Sequence, residues 1–207
     1  VDKIVLTTDA AFEPKDLGPP ESDRGKGSAP GPARGDLKPG SKGNIVLSPD
    51  ADAHVSEGKS RDNFGDARIL EVRHGWKSRK HAYLRFSLAG LKGGVAEARL
   101  VLHVASEIPD KKAPHRCFAA KRSQWQEGAI NWLNKPEQDR SLAVVRVDGG
   151  GRAVRFDVTS AVNEALAAGR KDITLVIGTK FNPRVDYSSR EGPAEDRPTL
   201  VITPAHK

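Results

Sequence analysis

In the stretch EVRHGWKSRKHAYLRF, residues 71–86, five cations (Arg73, Lys77, Arg79, Lys80 and Arg85) and two histidines surround Trp76 and Tyr83 against one acid, Glu71. A guanidinium donates in parallel to both oxygens of a carboxylate or sulfate, while an ammonium acts as a mobile point charge. An aromatic ring adds a flat apolar platform for the C–H face of a sugar. Those residue types together suit a polymer with acid groups at regular spacing. With strand period two, Tyr83 and Arg85 share the face opposite Leu84 and Phe86, Arg73 projects similarly from a neighbouring strand, and Trp76 to Lys80 form the turn between them. The competing reading is a solvated face whose charges only keep the chain in solution.

A second group, Lys180, Arg184, Tyr187 and Arg190, lies in GTKFNPRVDYSSREG near the end of the chain. Lys180 and Arg184 read as loop cations open to a ligand, whereas Arg190 could instead pair with Glu191 or a strand carboxylate. Trp125 and Trp132, in SQWQEGAINWLNKP, read as packing beneath a long loop. Catalytic patterns find little support. The six histidines make no HExxH pair, and no GxSxG or glycine-rich phosphate loop occurs. A lyase site could be assembled on paper from Tyr83, His81 and Arg85. Cys117 is the single cysteine, so no internal disulfide can form.

The elements that must hold these residues emerge from composition and periodicity. The 207 residues carry 34 Lys plus Arg against 27 Asp plus Glu, a net charge of +7. Residues 1–43 are balanced, seven basic against seven acidic, so the surplus lies in residues 44–207 and favours anionic partners. In GPPESDRGKGSAPGPARGDLKPGSKG, residues 18–43, 12 of 26 positions are Gly or Pro, which cannot bury enough surface to offset ordering entropy and reads as a linker. Ahead of it, Ile4, Val5 and Leu6 form a strand-like run in residues 1–17. No apolar run near 18 residues suggests a membrane span, and no charged-then-apolar leader opens the chain.

Beyond the linker, HAYLRFSL places Ala82, Leu84, Phe86 and Leu88 on one face, and EARLVLHVA does so for Ala98, Leu100, Leu102 and Val104. Further strands are expected at Ala53–Ser56, Ile69–Arg73, Arg116–Ala120, Ala143–Val147, Ala153–Val158, Ile173–Ile177 and Thr199–Thr203. About nine strands at this spacing predict an all-β, antiparallel, jelly-roll-like β-sandwich. TSAVNEALAAG is the exception: a short helix, capped by Thr159 or Ser160 and ended by Gly169, covering an end of the core.

DADAHVSEG, NFGDARILEVR, KHAYLRFSLAGLKGGVAEARLVLHV, WQEGAINWLNKP, VRFDVTSAVNEAL and SSREGPAEDRPTLVIT, in that order, resemble the DNRLRE-type domain, whose members include alginate-binding carbohydrate-binding modules. Residues 1–22 resemble the closing strand of a sugar-binding β-sandwich, so the chain is expected to begin in the tail of a preceding module. The resemblance implies a bacterial, secreted or cell-surface, non-catalytic module, monomeric, attached to a polysaccharide lyase or glycoside hydrolase. RHGWKSRKH departs from the family pattern and is where specificity for an anionic glycan, alginate-like or sulfated, is expected. Sugar-binding jelly rolls often staple a loop with calcium, and Asp52 and Asn63 could supply oxygen ligands. The rivals are a structural or adhesive surface domain and a polysaccharide lyase. Nucleic acid is a distant alternative, favoured only by the pI near 9.6.

Overall fold

A computed structural model describes residues 43–106, 113–147, 153–182 and 184–205. The expected tail strand and nearly all of the expected linker lie outside them. The strands are β1 (Ile45–Leu47), β2 (Ala51–Ser56), β3 (Ile69–Val72), β4 (Lys80–Ser87), β5 (Val95–His103), β6 (Ala113–Ala120), β7 (Gln138–Val147), β8 (Ala153–Asp157), β9 (Asp172–Thr179), β10 (Val185–Ser188) and β11 (Thr199–Pro204), with one helix, α1 (Thr159–Ala167). They form a four-stranded sheet in the order β1-β11-β5-β8, a five-stranded sheet in the order β2-β4-β9-β6-β7, and the pair β10-β3. All pairings are antiparallel.

The expected β-sandwich is therefore present, and its core follows from period two. Leu84, Phe86, Leu175 and Ile177 of the five-stranded sheet meet Leu100, Leu102, Phe156 and Ile202 of the four-stranded one, all fully buried. Helix α1 contributes Ala161, Val162 and Ala165 to that core. The helix begins one step from the expected cap. Val158 is the cap position, and Asp157 Oδ1 instead accepts the Thr159 N–H at 2.9 Å and the Thr159 hydroxyl at 2.7 Å. Gly169 ends the helix as expected: at φ +67° it lets its own N–H reach Leu166 O at 3.0 Å and the Arg170 N–H reach Ala165 O at 2.9 Å.

Sequence periodicity misses two strands. β1 is three residues long, and β10 sits where a ligand loop was expected, registered Tyr187 to Leu70 and Asp186 to Glu71 on β3. All four β10 residues are buried, Tyr187 completely. Its hydroxyl and His115 Nδ1 are 2.7 Å apart inside the core. The expected solvent face of β4 also needs correction. Tyr83 alternates away from Leu84 as predicted, but it belongs to a second apolar layer with Ala51, Ala53, Val55, Val176, Ala120, Trp125 and Ile130. Residues 121–137 cross this outward face as a long loop and seal it. Tyr83 is fully buried, its hydroxyl donating to Pro136 O at 3.0 Å, and Trp125 Nε1 donates to Thr174 Oγ1 at 3.0 Å. Trp125 and Trp132 thus pack at this loop as expected, Trp132 at the rim of the layer.

Two predictions follow from these buried groups. Tyr83→Ala is expected to lower unfolding stability by about 3–5 kcal/mol through the cavity it leaves, whereas Tyr83→Phe costs about 1 kcal/mol for the lost donor. Urea unfolding of the pair measures the difference, and equal small losses would show that the loop does not seal this face. For His115, burial lowers the pKa from 6.5 to about 4. The unfolded chain therefore takes up the proton first, and stability present above pH 6.5 is lost as pH falls towards 4. Relative to His115→Gln, the wild type should lose on the order of 3 kcal/mol across that window. Parallel stability–pH curves for the two proteins would refute the assignment.

Candidate functional site

The turn between β3 and β4 is anchored on both sides. Arg73 and Lys80 face each other, with backbone hydrogen bonds of 3.2 and 2.9 Å in the two directions. Ser78 N–H closes on Gly75 O at 3.1 Å, and Lys77 sits at φ +50°, a left-handed conformation forced by the tight reversal. The turn then docks on the loop after β9. His74 N–H donates to Phe181 O at 3.0 Å, and the Arg73 guanidinium donates to Asn182 Oδ1 at 3.3 and 3.2 Å. A Cβ on Gly75 would stand 2.5 Å from Ser78 Oγ and 3.3 Å from Asn182 Oδ1, so only glycine fits there without displacing a neighbour.

This docking joins the two basic clusters that the sequence presents separately. Its outer edge carries Trp76, 90% exposed, and Phe181, 46% exposed. Lys77 and Lys180 are exposed beside them, with Lys77 Nζ 5.9 Å from the Trp76 ring centroid. Phe181 and Asn182 were missed from sequence because neither is charged; their signal is adjacency to Lys180 on a short loop. Trp132 lies partly open, clamped by Lys135 Nζ at 3.9 Å, by Arg79 at 5.3 Å and by His81 at 5.2 Å. Burial, then the Lys135, Arg79 and His74 charges, lower His81 to about 4 and leave it neutral at pH 7.

Most of the expected cations already have partners. Arg79 meets Glu57 with contacts including Nε to Oε2 at 3.0 Å, and that hydrogen bond pulls Glu57 down to about 2. Lys80 reaches Glu71 Oε2 at 2.6 Å and Arg184 reaches the same oxygen at 3.1 Å, while Arg184 also pairs with Asp186 at 2.6 Å. Burial works to raise the Glu71 pKa, but the Lys80 hydrogen bond and the Lys80, His54 and Arg184 charges hold it low. Arg85 spans Asp50 at 3.0 Å and the Trp125 carbonyl and lies 5.4 Å over the Trp125 ring. Tyr83 and Tyr187, both buried, cannot touch a glycan, which corrects the sequence reading for these two.

Arg190 belongs to a different network. It donates through its backbone to Asp52 Oδ2 at 2.8 Å and through Nη2 to Glu127 Oε2 at 2.6 Å, with Nε 3.2 Å from Glu191 Oε1. Asp52 is pushed up to about 7, chiefly by burial and secondarily by the Glu191 and Glu127 charges, which its hydrogen bond from Arg190 only partly offsets. Asn63 has partners of its own. Its Nδ2 donates to Glu127 O at 2.6 Å and Ile130 O at 2.8 Å, and its Oδ1 accepts from Gly65, so Asn63 fastens the long loop instead.

A groove on the other flank was not anticipated. A depression of about 520 Å³ is lined by Asp50, Arg85, Trp125 and Asp172, and it shares Ser123, Gln124 and Asp172 with one of about 410 Å³ lined by Lys121, Arg122, Arg170 and Lys171. The four added cations come from two loops distant in sequence, which no local pattern could bring together.

No curated protein matches the chain. Among solved structures it is similar, at 11% identity and a TM-score of 0.32, to the CBM22-1–GH10 modules of an endo-1,4-β-D-xylanase from Clostridium thermocellum complexed with xylohexaose, covering 80% of this chain and 29% of that one. A likeness of the same identity and TM-score, covering 79% of this chain and 99% of the other, is to the K1 cleaved adhesin domain of Lys-gingipain from Porphyromonas gingivalis W83. Residues 44–204, which include every described strand of the sandwich, match the model of carbohydrate-binding module family 96, and the chain belongs to that family.

Proposed function

We propose that this carbohydrate-binding module is non-catalytic and tethers an extracellular polysaccharide-degrading protein to an anionic glycan, alginate-like or sulfated. The observation that carries the reading is the β3–β4 turn: Trp76 is 90% exposed yet stands on a turn hydrogen-bonded to the 181–182 loop. A large ring held open to solvent on an anchored support is a stacking platform that loses little freedom on binding. Lys77 and Lys180 supply mobile charge beside it, Arg73 lies at its base, and Arg79 and Lys80 hold the arm of the turn through their acid partners. In the sequence organisation proposed here, residues 1–17 close a preceding module, 18–43 are a linker, and 44–207 are the binding module, acting as a monomer. Tethering raises the local concentration of the neighbouring catalytic module on its polymer.

The two depressions that meet at Ser123, Gln124 and Asp172 are proposed as a second contact surface, because Lys121, Arg122, Arg170 and Lys171 gather there. Calorimetric titration with polymannuronate, a sulfated polysaccharide and neutral xylan, at low and high salt, tests both. Trp76→Ala is expected to weaken binding of the acidic polymers at least tenfold, about 1.4 kcal/mol, with an unchanged thermal midpoint. Binding should also weaken as salt rises. A comparable loss in the Arg170→Ala/Lys171→Ala double variant alone would move the site to the groove. Equal binding of xylan, or no change in either variant, would overturn the anionic-glycan reading in favour of an adhesive domain, and unsaturated products released from the polymers would reveal a lyase.

A further inference from the structure

Asp52, Glu127 and Glu191 come from β2, the long loop and the turn after β10, and each offers a carboxylate oxygen within 4.8 Å of the others. Asp52 is fully buried. Only one of its carboxylate oxygens is used: Oδ2 accepts the Arg190 N–H at 2.8 Å, whereas Oδ1 is buried without a hydrogen-bond partner. Glu191 Oε2 is likewise buried and without a partner. Glu127 is already oriented towards the cluster, since its Oε1 accepts the Asp52 N–H at 2.7 Å and its Oε2 accepts from Arg190 at 2.6 Å. An unpaired buried carboxylate oxygen is costly, and two of them on residues of one acidic cluster are what a cation would satisfy.

The geometry points to a calcium site formed by Asp52, Glu127 and Glu191. Oxygen ligands at 2.3–2.6 Å from a common ion lie no more than about 4.6–5.2 Å apart, which brackets the observed span. The donor set is all oxygen, without imidazole or thiolate, which selects a hard cation over zinc or copper. Three carboxylates beside one guanidinium carry an excess of two negative charges when ionised, which one divalent ion neutralises. The ligands come from three chain segments instead of a compact octahedral cage, which suits the loose coordination of calcium better than magnesium. Asn63 supports the site indirectly by holding the carbonyls of Glu127 and Ile130. Along β2, Asp52 pairs with Leu84 while Ser56 pairs with Lys80, four residues or ~13 Å away, so the ion sits apart from the Trp76 turn and joins the loop to the sheet.

Chelator-treated protein titrated calorimetrically with CaCl2, and separately with MgCl2, tests the site. One calcium per chain is expected, magnesium binding weaker, and at a hundredfold excess over Kd the thermal midpoint should rise by roughly 5–10 °C. Glu191→Gln should abolish both the heat and the shift. Should that variant not fold, the wild-type titration decides alone. Absence of stoichiometric heat with an unchanged midpoint in folded wild-type protein at millimolar CaCl2 would overturn the assignment, as would an undiminished response in folded Glu191→Gln.

Discussion

The outward face of the five-stranded sheet must be covered, and the rest of the molecule is arranged around that requirement. A sheet in a sandwich ordinarily buries one face and wets the other. Here Ala51, Ala53, Val55, Tyr83 and Val176 make the second face apolar as well. Leaving it open would expose a contiguous hydrophobic patch, so residues 121–137 cross it and insert Trp125 and Ile130. Small residues on β2 are what allow a loop carrying an indole to lie so close to the backbone. Gly65 serves the same end, since a Cβ there would come 2.5 Å from Glu127 O.

Covering that face decides where a ligand can go. The flat of the sheet is lost to the loop, which leaves the rim for the proposed binding surfaces: the β3–β4 turn and the depressions lined by residues from 121–126 and 169–172. The loop also carries Glu127 into the acidic cluster and Trp132 against Arg79 and Lys135. Positive charge at the rim is consequently a poor guide to free charge. Glu71 alone engages Lys80 and Arg184 and lies 3.5 Å from His54 Nε2, so the acid that looks outnumbered in sequence is the hub of its neighbourhood.

Much of this was legible in the sequence where one period governed. β4 and β5 declared themselves because every inward position is apolar, and Gly169 marked the helix end because only a left-handed residue closes it that way. The turn at Trp76 was also readable, since its polar run interrupts an alternating pattern. What could not be read was whether an outward face is wet. Tyr83 and Arg85 alternate identically, yet one lies sealed beneath Pro136 and the other at a groove edge, because a loop forty residues away chooses between them. β10 escaped for a related reason: its burial comes from β3 and from an isolated bridge to Val104, neither adjacent in sequence.

The same reasoning bears on how a module of this kind discriminates among polymers. A cation locked to an acid has already given up its conformational freedom, and a ligand must displace or share that acid to use it. Arg79 on Glu57 and Arg184 on Asp186 therefore act first as struts that fix the turn and its neighbours. In the proposed binding mode, the groups left to meet a glycan are the ones with least structural duty: an indole standing clear of the surface and lysines on long stems. An aromatic ring reads the shape of a sugar and a lysine reads the presence of charge, so neither alone distinguishes one acidic polymer from another. On the proposed reading, selectivity comes from the spacing between them, and the Arg73–Asn182 and His74–Phe181 contacts that bind two loops into one support hold that spacing.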